Sequence, residues 1–200
     1  MTHEHDWVVD ELVALAKRLN IRCVVQVGAD DGWEAWKMHE RAECASVAIE
    51  ADPAAEPCAP ELVFFRGIIG ATDSDAVPFY HVGRRLGLSS TLPRDGEVSK
   101  FTQVISLPQS RLDTFCQEHA IAPDMLIIDT EGTTSDVLEG CGGLLAGVRA
   151  IYAECQTWKA GGGSQLEDVD AFLTERGFRR DNTGPCYSVG SQGNFLWVRP

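Results

Sequence analysis

Several apolar, β-branched segments of this chain give out in a glycine turn or a carboxylate, and the spacing of those residues is where chemistry can be read. The first, Cys23 to Val27, runs into Gly28, Ala29, Asp30, Asp31 and Gly32; the second, Ser46 to Glu50, ends on an acid 22 residues after Gly28. A glycine at 28 permits a tight turn and close approach by a ligand, and the helix that follows offers unpaired amide groups. A carboxylate at 50 is spaced to accept hydrogen bonds from both hydroxyls of a ribose. The glycine turn alone reads equally well as an ordinary strand-to-helix connection. Combined with the acid, it points to an adenosine-bearing ligand.

Position 30 separates the two common ligands of that kind. A dinucleotide pyrophosphate needs the denser G-x-G-x-x-G glycines, and Asp30 would repel it. S-adenosylmethionine carries no phosphate and has an ammonium group that a carboxylate attracts. The expected cofactor is therefore S-adenosylmethionine, held by Gln26, Gly28, Ala29, Asp30, Gly32, Glu50, Ala51 and Ile69.

Asp129 and Glu131 follow a third buried-type segment, Asp124 to Asp129, and Glu154 ends a fourth, Val148 to Glu154. Three carboxylates at one sheet edge are candidates for catalysis. Asp129 and Glu154 suit a divalent cation with oxygen ligands, Mg²⁺ or Mn²⁺, with Glu131 as a third ligand or an outer partner. Without a metal, one of the acids suits a general base on an acceptor hydroxyl. Glu131 also reads as an acid favoured by the N-terminus of the next helix. His81, Ser89, Ser90 and Trp158 are candidates for contact with the acceptor, His81 also as a base, alongside Trp33 and Trp36. A lone histidine is more often an ordinary surface or half-buried residue, the serines also suit shaping the loop, and at least one tryptophan suits core packing.

The elements that would position these groups alternate along the chain, which predicts an α/β fold with a mostly parallel, seven-stranded sheet covered by helices on both faces. Val8, Leu12, Leu15 and Leu19 recur at helical spacing, predicting a first helix over 6–19. Further helices are expected over about 33–41, from Ser110 to His119, from Thr133 to Gly140 and from Ser164 to Gly177. Ser110 with Asp113, and Ser164 with Glu167, have the layout of capping boxes. A third strand is expected over 62–69, and an antiparallel insertion with a long loop over about 77–107. Ligands of such sheets bind outside the carboxyl ends of the strands, where strand order reverses.

Composition narrows the partners. The 200 residues predict a single domain over 1–200, and the formal net charge of −13 argues against nucleic acid, whose phosphates need clustered Lys and Arg. No apolar run is long enough to cross a membrane, and the acidic N-terminus lacks the layout of a signal peptide, so a cytoplasmic location is expected. The seven cysteines form no C-x-x-C pair and read as free, mostly buried thiols. Met38 and Met125 read as core. The expected partner is a small-molecule acceptor, not nucleic acid or membrane, with a homodimer left open.

From Val24 to Val198 the order of these segments resembles the FkbM-type methyltransferases. Val25 to Gly32 is similar to the first motif of that family, Ala48 to Pro53 to its second, and Ile69 to Asp73 with Phe79 and Tyr80 to its third. Leu88 to Leu92 is similar to its serine loop and Ser106 to Phe115 to its "LD-x-F" segment. Ile127 to Gly132 followed by Val137 to Gly140 is the most specific match. The resemblance implies a Rossmann-like class I methyltransferase sandwich that moves a methyl group onto a hydroxyl, often of a sugar or natural-product intermediate. Two departures stand out: Gln26 where the family usually has an acid, and Asp30 where it often has Asn. Either would alter contacts to the amino-acid part of the cofactor. The alternatives are methylation of nitrogen or a peptide, or a non-catalytic module that binds S-adenosylmethionine.

Overall fold

The computed structural model describes residues 6–82, 88–93, 96, 98–157 and 163–200. Helix α1 (Asp6–Leu19) leads into β1 (Cys23–Val27), and a left-handed turn into α2 (Trp33–Ala42) returns the chain to β2 (Ala45–Glu50) and β3 (Val63–Arg66). After an insertion, α3 (Leu112–Glu118), β7 (Met125–Ile128), α4 (Thr134–Gly140), β8 (Ala150–Gln156) and α5 (Leu166–Glu175) continue the alternation. Strands β9 (Arg179–Asp181), β10 (Tyr187–Val189) and β11 (Gln192–Val198) close the chain. Seven strands lie in the order β10-β11-β8-β7-β1-β2-β3, and β9 adds an eighth by pairing with β11. The five from β8 to β3 are parallel; β11 runs antiparallel to β8. This is the Rossmann-like, mostly parallel architecture that the alternation predicts.

Strand alternation sorts the apolar side chains into two cores, as a parallel sheet buried on both faces requires. Val25, Val27, Ile49, Leu126, Ile128 and Ile151 pack on one face with Leu112 and Phe115 of α3, Val137 of α4 and Val169 of α5. Val24, Met125, Ile127 and Tyr152 pack on the other with Val8, Val9 and Leu12 of α1 and Met38 of α2. Met38 and Met125 are fully buried core, as expected. All seven cysteines are free; four are buried, Cys23 and Cys186 are half-buried, and Cys58 is exposed. Among the described residues, no helix is long and apolar enough to cross a membrane.

Three local expectations are corrected. The single strand expected over 62–69 is two strands in different sheets. Val63–Arg66 runs beside Val47–Glu50 of β2, which ends there. Past Gly67 the chain swings away as β4 (Ile68–Ile69) to join β6 (Gln103–Ser110), itself antiparallel to β5 (Ser74–His81). Ser110 is the last residue of β6 and caps nothing; α3 starts after an extended Arg111, with no side-chain cap. Ser164 does cap a helix, but a different one. Its Oγ accepts the amide of Ser135 in the first turn of α4 at 2.8 Å and donates to the carbonyl of Gly132 at 3.0 Å. A side chain 29 residues away has taken the place of a local cap.

At the centre, strand order reverses between β1 and β7. The amide of Asp129 donates to the carbonyl of Val27 at 2.9 Å, and the amide of Gly28 turns away to the carbonyl of Ile49 at 3.0 Å. Gly28 has φ +72°, and a β-carbon there would lie 1.9 Å from the Asp129 carbonyl oxygen. The neighbour is backbone in the middle of the sheet, so it cannot swing aside. Gly28 is therefore demanded by the protein itself before any ligand arrives. Gly28→Ala should cost about 3 kcal/mol or more of unfolding free energy in urea titration. Gly67→Ala, where a β-carbon meets nothing within 4 Å, should stay within roughly 0.5 kcal/mol. Equal stabilities for the two variants would contradict this reading.

Candidate active site

A cleft of about 260 Å³ opens at the carboxyl ends of β1, β2 and β7, at the point of strand-order reversal where such sheets bind ligands. Gln26, Gly28, Ala29, Asp30, Glu50, Ala51 and Ile69 all line it. Gly32, the remaining residue expected at the cofactor, does not. It is buried behind the turn, where a β-carbon would lie 2.4 Å from Leu62 Cδ2, so its role is packing. The described walls also carry Asp31, Glu34, Asp52, Asp129 and Glu131. With Asp30 and Glu50 that makes seven carboxylates, and among the described lining residues there is no Lys, Arg or His.

Glu50 is fixed at both oxygens. Oε2 accepts the amide of Asp30 at 2.8 Å and Oε1 the amide of Asp52 at 2.6 Å. Each oxygen retains a second lone pair, so the carboxylate orders the turn at 30 while still facing the cleft. Burial pushes the Glu50 carboxyl up, against the downward pull of the Asp52 and Asp30 amides. Asp30 itself sits in the left-handed region at φ +49°, a conformation that aspartate tolerates better than most residues.

Asp52, two residues beyond Glu50, is nearly buried and joins the insertion to the cleft floor. Its Oδ2 accepts Ser89 Oγ at 2.5 Å and stands 2.9 Å from His81 Nδ1. Ser89 Oγ in turn accepts the amide of Val82 at 3.1 Å. Ser89 lines the cleft, whereas His81 is turned toward Asp52 and is not part of the lining. Ser90 is 2% exposed and ties the loop to the turn after β7, with Oγ donating to the carbonyl of Glu131 at 3.1 Å. Trp158 lies outside the described residues. Trp33 lines the cleft, and Trp36 packs with the small core of Ala29, Ala35, Ala48 and Leu62.

Asp129, Glu131 and Glu154 do converge. One carboxylate oxygen from each lies within 4.8 Å of the others. Asp129 is open to solvent entering the cleft but ringed by protein on its other sides. That desolvation, and then the charges of Glu154 and Glu131, push its carboxyl well above the usual carboxylate range. Beside it, Thr130 Oγ1 is a buried hydroxyl with no hydrogen-bond partner among the described residues, at a position lining the cleft. An orphaned polar atom there is one that a bound polar ligand would satisfy.

Gln26 is buried on β1, and both ends of its side-chain amide are used. Oε1 accepts the amide of Ala35 at 2.9 Å and Nε2 donates to Glu34 Oε2 at 2.9 Å. The opposite orientation of the amide would set N–H against N–H and oxygen against carboxylate, so the geometry fixes it. Sequence reasoning missed Glu34, Asp52 and Thr130. Glu34 looks like any acid in a first helical turn. The one available sign for Asp52 was a second acid just past Glu50.

Glu50→Ala removes the acceptor for two backbone amides and for the ribose expected over them. It should weaken S-adenosylhomocysteine binding by about 30-fold or more in calorimetric titration, as loss of charge-assisted hydrogen bonds implies. An unchanged dissociation constant would remove Glu50 from the site.

Comparison with known proteins agrees with this geometry. The family model described as the methyltransferase FkbM domain matches residues 26–180. No curated protein matches the sequence. Among solved structures, an O-methyltransferase family protein from Burkholderia thailandensis is similar with a TM-score of 0.50 and 11% identity, over 97% of this chain and 55% of that one. The chain thus spans about half the length of that relative. Magnesium protoporphyrin IX methyltransferase from Synechocystis PCC 6803, solved with S-adenosylmethionine bound, gives a TM-score of 0.46 and 13% identity, over 98% and 80% of the two chains. The topology, the cleft at the strand-order reversal and the match over residues 26–180 establish that the chain belongs to the FkbM methyltransferase family and is an S-adenosylmethionine-dependent methyltransferase.

Proposed function

We propose that this methyltransferase acts on a hydroxyl of a small, polyhydroxylated acceptor that carries no phosphate or carboxylate. The observation that carries the reading is the pair of acids after β7, Asp129 and Glu131, in a cleft whose described walls hold no basic residue, with Glu154 of β8 converging on them from outside the lining. A cleft lined by one sign of charge excludes ligands of the same sign. It favours a cofactor with a sulfonium and an ammonium, and it disfavours an anionic acceptor. The buried Thr130 hydroxyl and the Glu50 carboxylate, held by the Asp30 amide, suit the polar parts of that cofactor. When bound, S-adenosylmethionine supplies an electrophilic methyl group.

What the chain must supply is a way to take the proton from the acceptor. An aliphatic hydroxyl is a poor nucleophile until its proton is accepted. Asp129, whose carboxyl is raised well above the ordinary carboxylate value by desolvation and by its acidic neighbours, lines the cleft beside the other acids and is placed to act as a general base. Glu131 and Glu154 hold it there electrostatically. The expected pH profile follows from the sign of that shift. The base works only when deprotonated, so kcat/KM should rise with pH through an apparent pKa above the ordinary carboxylate value and belonging to the three acids jointly. Asp129→Asn should lower kcat by about 10²–10⁴ and leave cofactor affinity nearly unchanged. The decisive assay follows labelled methyl transfer to a panel of polyols and sugars, amines and peptides. Transfer confined to nitrogen would reject the hydroxyl assignment.

The 4.8 Å clustering of the three acids also supports a second reading, in which Asp129 and Glu154 hold Mg²⁺ or Mn²⁺ with Glu131 beside them. All-oxygen donors suit either ion. Separations within that limit accommodate both adjacent and opposite ligand positions on an octahedral ion, so chelation decides between the two readings. Full activity after exhaustive chelation would eliminate the ion; activity lost to chelator and restored by Mg²⁺ would establish it.

A further inference from the structure

The cleft has an annex on the side away from Glu50. A smaller chamber of about 50 Å³ shares Gln26, Glu34 and Asp129 with the main cleft and is closed by Val8 of α1, Tyr152 of β8 and Asn194 of β11. Glu50 is not among its walls. Glu50 thus lines the main cleft alone, whereas Glu34 lines both spaces and stands where they join.

The other acids of the cleft are largely committed. Glu50 takes two backbone amides, Asp52 takes Ser89 Oγ and faces His81 Nδ1, and Asp31 Oδ1 takes the amide of Trp33 at 3.0 Å. Glu34 has a different setting. Gln26 Nε2 donates to its Oε2, no hydrogen bond reaches its Oε1, and no Lys, Arg or His of the described residues lies within ion-pairing distance. Gln26, 3% exposed, is locked by accepting the Ala35 amide, so it aims the Glu34 carboxylate as well as contacting it. An acid at position 26 would lose the donor and set two carboxylates against each other. The pair of residues therefore works only as amide and acid together.

Resting on the cofactor reading above, we infer that Glu34, aimed by Gln26, is the carboxylate that receives the ammonium group at the amino-acid end of the cofactor. The chemistry is that of a half-buried carboxylate with no Lys, Arg or His of the described residues within ion-pairing distance, at the mouth of a chamber too small for the nucleoside. A charge-assisted hydrogen bond to an ammonium is the interaction that satisfies it. In this protein the negative charge for the ammonium thus comes from the first turn of α2, and β1 supplies the neutral side chain that points it.

Two ligands that differ only in that end test the assignment: S-adenosylhomocysteine, and 5′-methylthioadenosine, which keeps the adenosine and the thioether but has no amino-acid group. Glu34→Gln preserves an acceptor for Gln26 and should fold like the wild type, as a thermal melt would check. In calorimetric titration it should bind S-adenosylhomocysteine about 10- to 100-fold more weakly, with methylthioadenosine changed less than about twofold. An unchanged affinity for S-adenosylhomocysteine would overturn the inference. So would equal weakening of both ligands, which would make Glu34 a support for α2 only. A wild-type protein that binds neither ligand would overturn the cofactor reading, and this assignment with it.

Discussion

The carbonyl oxygen of Asp129 lies where a β-carbon on residue 28 would have to be, 1.9 Å away, and much of the molecule is organised around that approach. It sets how closely the ends of β1 and β7 can lie, and so where strand order reverses and the cleft opens. It also forces the two turns into left-handed backbone. Gly28 and Asp30 leave β1 at φ +72° and +49°, and Glu131 and Gly132 leave β7 at +54° and +105°. Such conformations persist only where the surroundings over-determine them. Here Glu50 grips the amide of Asp30, and Ser90 and Ser164 grip the carbonyls of Glu131 and Gly132.

The second organising fact is charge. Seven carboxylates face one cleft with no described basic residue among them, in a chain of net charge −13. Desolvation and the neighbouring acids Glu154 and Glu131 disfavour the charged form of Asp129. A cationic ligand relieves that repulsion on binding. Site residues and the cationic groups of the cofactor are opposite in sign, at the expense of stability in the empty protein.

The insertion is attached to this centre through Asp52. One carboxylate oxygen faces His81 at the end of β5 and accepts Ser89 from the loop beyond it. The three-stranded sheet of β4, β5 and β6 is thereby fastened to the end of β2 by side chains, and among the described residues no strand pairing joins the two sheets. His81 and Ser89, expected at the acceptor, also hold the insertion over the cleft through Asp52, and Ser89 lines the cleft as well.

The sequence by itself determined the elements whose signal is local and periodic. Helix α1 over 6–19, the buried strands at 23–27 and 125–128, and the acids at strand ends were legible because burial on both faces leaves continuous apolar runs that stop at polar turns. Glu50 and the trio of Asp129, Glu131 and Glu154 were legible for the same reason. Tertiary structure decided whatever depends on partners remote in sequence. The break at Gly67 falls where β2 ends, and Ser164 caps α4, 29 residues away in sequence, while α5 beside it has no side-chain cap. Gln26 reads as a lost acid in the sequence. In the fold it is the neutral hinge between an amide at 35 and a carboxylate at 34, because only packing of α2 against β1 brings those groups within hydrogen-bonding distance.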